Sequence, residues 1–264
     1  MQVQESRIIL YLYTMDVSSK IIDSFSLRET LNPKVWEHPE EPNDATMKKR
    51  VRKALLKIAN AFIDDLGEDV KIEDITLTGS LANFNWSDFS DFDVHVIIDY
   101  KQFGKQEELY KELFGLKKQL FNQKHDIRIF GYEVELYAQD SSEEHTASGL
   151  YSIQDDKWIN TPSRENFKLD KNLLKTKISS WKNYIEDLIV NIKELGLEVN
   201  ETKVKTLKDK LKEYRKSGLE KEGEYSYENL VFKFLRRAKI IEKLYDVVNK
   251  QSDKELSVEV KNID

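Results

Sequence analysis

From residue 91 the chain alternates. Phe92, Val94, Val96 and Ile98 fall on one side of an extended segment, and Asp91, Asp93 and His95 fall on the other. A period of two predicts a strand with one buried face. "HDIRIFGYEVELYAQD" repeats the pattern and predicts two short strands around a tight turn at Gly131. There Val134 and Leu136 point one way, and Glu133, Glu135 and Tyr137 the other. Upstream, "KIEDITLTG" predicts one more strand. Over residues 44–66 the period becomes three and four, and Met47, Val51, Leu55, Ile58, Phe62 and Leu66 form a helical stripe. Asn43 or Asp44 is placed to cap that helix and Gly67 to end it. Residues 104–122 predict a second amphipathic helix, with Leu109, Leu113, Leu116 and Leu120 as its apolar stripe.

Three of the four prolines lie within residues 31–44, which predicts an extended or turned link. Pro162 marks a second boundary. Beyond it the pattern is helical over about 168–196, 200–217 and 226–250, with Ser226 as N-cap of the last helix. The predicted organisation is an N-terminal segment and linker (1–43), a mixed-sheet unit (44–165), a helical unit (166–250) and a tail (251–264). The fold class is α+β: a mixed β-sheet with packed helices, followed by an α-helical C-terminal domain.

Composition narrows the picture. With 39% hydrophobic residues and a net charge of only -6 over 264 residues, the chain has the profile of a folded protein, not a disordered one. The absence of cysteine excludes disulfide-linked partners and thiol chemistry. The apolar run at 8–15 is too short to cross a bilayer and lacks a basic leader, so a soluble cytoplasmic protein with no membrane partner is expected.

The chemistry concentrates in "LTGSLANFNWSDFSDFDVHVIID", residues 77–99. On a strand, Asp91 and Asp93 share a face roughly 7 Å apart along the backbone. Side by side they repel, and a hard divalent cation removes that repulsion; oxygen ligands favour Mg2+ or Mn2+. Gly79 and Ser80, between a strand and an expected short helix, offer backbone N–H groups and a hydroxyl suited to phosphate oxygens. Such a centre needs a third acid from a neighbouring strand. Glu135 is the preferred candidate, with Glu133 as its substitute. A calcium loop fits poorly, because counting from Asp88 places Asp93 where the sharp turn needs glycine. Four histidines without close pairing do not make a zinc site. His95 shares the aspartates' face and could touch nucleotide or acceptor, or be a hydrogen-bonded neighbour. Phe84, Trp86 and Phe89 could shape a pocket or simply pack.

"LTGS", ten residues, then "DFDV", completed by "VEL" at 134–136, resembles the polymerase-β-like nucleotidyltransferase superfamily, in particular predicted members from bacteria and phages. "EYSYENLVFKFLRR" at 224–237 resembles their C-terminal helix. The resemblance implies a nucleotidyltransferase-type mixed sheet of about five strands. It also implies two Mg2+ ions held by Asp91, Asp93 and Glu135. The expected reaction moves NMP from an NTP to an acceptor hydroxyl on RNA, a small molecule or a protein, with pyrophosphate leaving. Glu in place of the commoner Asp at the third position leaves Glu133 and Glu135 both open. Lys233 and Arg236, which share a helix face with Asn229, are expected to contact the nucleotide, as basic helical residues do in those families. Residues 166–216 hold 13 Lys or Arg against 8 Asp or Glu, a bias that suits RNA or a triphosphate but equally suits solvated helix faces. Two rival readings are a synthase that joins nucleotides to each other and a non-catalytic nucleotide- or RNA-binding module.

Overall fold

The computed structural model describes residues 16–67, 70–143, 147–164 and 166–257. Among the described residues the chain forms two compact units: one within residues 26–166, and one from residues 16–25 together with residues 167–257.

The first unit is built on a six-stranded mixed sheet. Its strands are β3 (Ile72–Thr78), β4 (Asp91–Ile98), β5 (Arg128–Ile129), β6 (Tyr132–Asp140), β7 (Leu150–Ser152) and β8 (Lys157–Asn160). Their order across the sheet is β5-β6-β4-β3-β7-β8. Among the described residues, only the β4–β6 pair of this sheet is parallel. Parallel neighbours need a crossover, and helix α3 (Glu107–Lys124) lies within that connection. The expected tight turn is present, with Phe130 and Gly131 both at positive φ.

One sheet face is apolar, as the alternation predicts. Phe92, Val94, Val96, Val134 and Leu136 are buried there with Val51, Leu55, Ala59 and Phe62 of helix α2 (Lys49–Leu66). α2 begins later than its sequence pattern suggests, with Lys48 at the N-cap and no side-chain cap. Met47 is instead paired with Trp36 in a two-stranded ribbon, β1 (Trp36–Glu37) and β2 (Thr46–Met47). The proline-rich stretch is therefore part of the core rather than a link. Trp36 is fully buried, its ring stacks on Trp158 at 4.5 Å, and its Nε1 donates to the Leu81 carbonyl at 2.8 Å.

α3 departs from its predicted orientation. Phe114 and Phe121 are its buried residues, while Leu109, Leu113, Leu116 and Leu120 are all exposed. The reason lies at the edge of β6. β5 is only two residues long, so Leu136 lacks a strand partner on that side. The Asn122 amide replaces it, donating to the Leu136 carbonyl and accepting from the Leu136 N–H, each at 3.0 Å. Turning Asn122 inward brings Phe114, Lys118 and Phe121 to the same side, at three- and four-residue spacing. The leucines are rotated outward.

The second unit is helical. It comprises residues 16–23 (α1), α4 (Lys171–Leu195), α5 (Glu201–Glu222), α6 (Tyr227–Arg237) and α7 (Ile240–Leu256). Ile178, Ile185, Leu207, Leu211, Leu230, Phe234 and Ile241 lie in its core. Asp170 caps α4 and Ser226 caps α6 through their side-chain oxygens. The single last helix of the sequence reading is two helices, divided where Lys239 takes a left-handed φ of 56°, and α7 continues to Leu256. Among the described residues, no helix is long and apolar enough to cross a membrane.

Candidate metal centre

The face of the sheet opposite α2 carries the acids. β4 and β6 run parallel in register, so Asp91 pairs with Glu133, Asp93 with Glu135 and His95 with Tyr137. Since every second residue shares a face, both acid pairs point the same way. Asp91, Asp93 and Glu135 each place one carboxylate oxygen within 4.8 Å of the other two. All three are half-buried. Glu133 turns aside into an ion pair with Arg128 and is not part of this cluster. Of the two candidates for third acid, it is Glu135 that joins the aspartates.

Gly79 has no room for a side chain. A Cβ there would lie 2.0 Å from Asp93 Oδ2. Its backbone, at φ 74° and ψ -160°, also occupies a region that is essentially restricted to glycine. The turn after β3 thus presses its backbone directly against the Asp93 carboxylate. The short helix expected next is a single 3₁₀ turn, Ser80–Ala82. One turn carries little macrodipole, so an anion here would meet individual N–H groups only. The spacer is stapled at its ends: Ser80 Oγ donates to Ser90 Oγ at 2.7 Å, and the Ser87 N–H donates to the same oxygen at 2.9 Å. Within it Phe84 is buried and Phe89 exposed. Trp86 is half-buried, its Nε1 donating to the Thr30 carbonyl and its ring lying beneath the Arg28 guanidinium.

Two further residues complete the site, and the sequence reading missed the role of both. The Tyr137 hydroxyl donates to Glu135 Oε2. Its ring stacks on His95 at 4.7 Å, and Lys118 Nζ lies 3.9 Å from its centroid. Burial pushes the Tyr137 hydroxyl pKa well up, reinforced by its bond to Glu135 and the nearby Asp93 and Asp91 charges. It therefore stays protonated and keeps donating. Burial also lowers the Lys118 ammonium, against the opposing pull of Glu135 and Asp93. Tyr137 was visible in sequence as the next same-face residue after Glu135. Lys118 had no such signal, because only the rotation of α3 brings it here. His95 Nδ1 lies 2.6 Å from Gln139 Oε1, within hydrogen-bonding distance.

Tyr137→Phe keeps the ring and removes only the hydroxyl bond to Glu135. Loss of an outer-shell hydrogen bond to a ligating carboxylate typically costs about 10-fold or more in metal affinity. A Mn2+ titration should show that loss in a variant that still folds, with at most a modest fall in melting temperature from the lost hydroxyl bond.

The remaining sequence candidates fall on other elements. Lys233 and Arg236 are on α6 in the helical unit, the first half-buried and the second exposed. Asn229 is buried and structural, accepting from Arg215 Nε and donating to the Glu224 carbonyl. His125 packs its ring against Phe121, and His145 falls outside the described residues. No protein-family model matches this chain, and no curated protein matches it.

Proposed function

We propose that this protein is a metal-dependent nucleotidyltransferase that moves NMP from an NTP to an acceptor hydroxyl. One observation carries the reading. Two adjacent parallel strands bring Asp91, Asp93 and Glu135 to within one ion's reach of each other, and the backbone turn at Gly79 lies against Asp93. The likeness of "LTGS" and "DFDV" to the nucleotidyltransferase pattern supports it further. The donor set fits Mg2+ or Mn2+, since it is oxygen-only, anionic and still reachable by solvent. When bound, such an ion supplies Lewis-acid charge to phosphoryl oxygens.

The chain's own residues have distinct tasks. The three carboxylates hold the cation site at fixed spacing, because their strands lock register along eight paired positions. Tyr137 orients Glu135 through Oε2. The Gly79–Ser80 turn lies beside Asp93, and its backbone N–H groups would suit triphosphate oxygens. In the transfer, the acceptor oxygen forms a bond to the α-phosphorus. The bond from that phosphorus to the bridging oxygen breaks, pyrophosphate departs, and the acceptor proton passes to water.

The test is incubation of the protein with each of the four NTPs, with and without Mg2+ or Mn2+, followed by pyrophosphate measurement and mass analysis of products. Metal-dependent pyrophosphate release that rises on adding an RNA or small-molecule hydroxyl acceptor is expected. Products made only of joined nucleotides would assign a synthase instead. Metal-dependent NTP binding with no pyrophosphate under any acceptor would assign a non-catalytic module.

A further inference from the structure

The exposed leucines of α3 form a regular surface. Leu109, Leu113, Leu116 and Leu120 are 59%, 38%, 63% and 64% exposed, although each is large and apolar. Their 4-3-4 spacing matches the d, a, d and a positions of a seven-residue repeat. Phe114 and Phe121 anchor the helix to its own unit from the other side, so the stripe points away from it. A second helix with the same spacing would cover all four.

Charge identifies that helix. Glu112 immediately precedes the a-position Leu113, and Lys117 immediately follows the d-position Leu116. In a parallel helix pair, the residue before a on one helix faces the residue after d on the other, five positions further on. Glu112 of one copy then meets Lys117 of a second copy, and the two-fold axis generates the reciprocal pair. An antiparallel pair would set Glu112 beside Gln119 or another Glu112, and Lys117 beside Tyr110 or another Lys117. No opposite charges would meet. Lys117 already donates to the Asp65 carbonyl, but an ammonium has three donors and can serve both.

We propose that α3 pairs in parallel with α3 of a second copy of this chain, forming a two-fold dimer through the leucine stripe. The stripe covers only two repeats, short of the three or four that sustain an isolated coiled coil. A dissociation constant of about 1–100 μM is therefore expected.

Sedimentation equilibrium of the full chain over about 1–300 μM tests this. Wild type should show a monomer–dimer equilibrium. Leu113→Glu with Leu116→Glu should leave a monomer with an unchanged melting temperature, since both side chains are exposed in the monomer. Glu112→Lys and Lys117→Glu should each weaken dimerisation about 10-fold or more, and the two together should restore it to within about three-fold. A monomer throughout the range, or a dimer indifferent to the leucine changes, would overturn the proposal. So would a charge-swapped double variant no tighter than the singles.

Discussion

Asp93→Asn should remove metal-dependent transfer and leave the fold intact. Asparagine matches aspartate in shape, so the change deletes a charge without opening a cavity. Asp93 is the member of the trio that both pairs in register with Glu135 and lies against Gly79. It joins the strand acids to the turn. A metal's Lewis-acid contribution is several kcal/mol, and each 1.36 kcal/mol is tenfold in rate, so turnover should fall by about 10³-fold or more. Stability should be unchanged or slightly higher, because three crowded carboxylates repel without a cation. Pyrophosphate release and a thermal melt in metal-free buffer check the two halves. Full turnover in this variant would remove the cluster from the chemistry.

Gly79→Ala should damage both fold and site. Alanine would have to accept the left-handed backbone at φ 74°, a strain of about 1–3 kcal/mol. Its Cβ would also stand 2.0 Å from Asp93 Oδ2, far inside contact distance. One group must move. If the turn yields, β3 and the spacer lose their junction; if Asp93 yields, the trio opens. Urea unfolding should show a loss of at least about 2 kcal/mol, and Mn2+ affinity should drop in whatever fraction remains folded. An alanine variant with normal stability and normal metal affinity would show that the turn does not constrain the carboxylate.

Much of this centre could be seen before the fold was known, and particular residues show why. Period-two alternation put Asp91 and Asp93 on one face and narrowed the third acid to Glu133 or Glu135. Alternation alone could not separate those two, because both share the face. Strand register and the Arg128 ion pair separate them, and neither leaves a mark in the sequence. α3 shows a different limit. Its leucines and its phenylalanines form two apolar rows, and periodicity finds rows without saying which one meets the core. The Asn122 bonds to a bare strand edge settle the orientation, and that edge exists only because β5 is short. Trp36 lay in a proline-rich stretch with no periodicity, since two-residue strands are too brief to produce any. Lys239 divides the last helix without a glycine or proline to announce it.

The most direct test of the account is a Mn2+ titration of four proteins: wild type, Asp93→Asn, Glu135→Gln and Glu133→Gln. Saturable binding is predicted for wild type and for Glu133→Gln, whose side chain belongs to the Arg128 ion pair. It should be lost in Asp93→Asn and Glu135→Gln. Binding that survives in those two, or that fails in wild type, would contradict the assignment of Asp91, Asp93 and Glu135 as a metal centre.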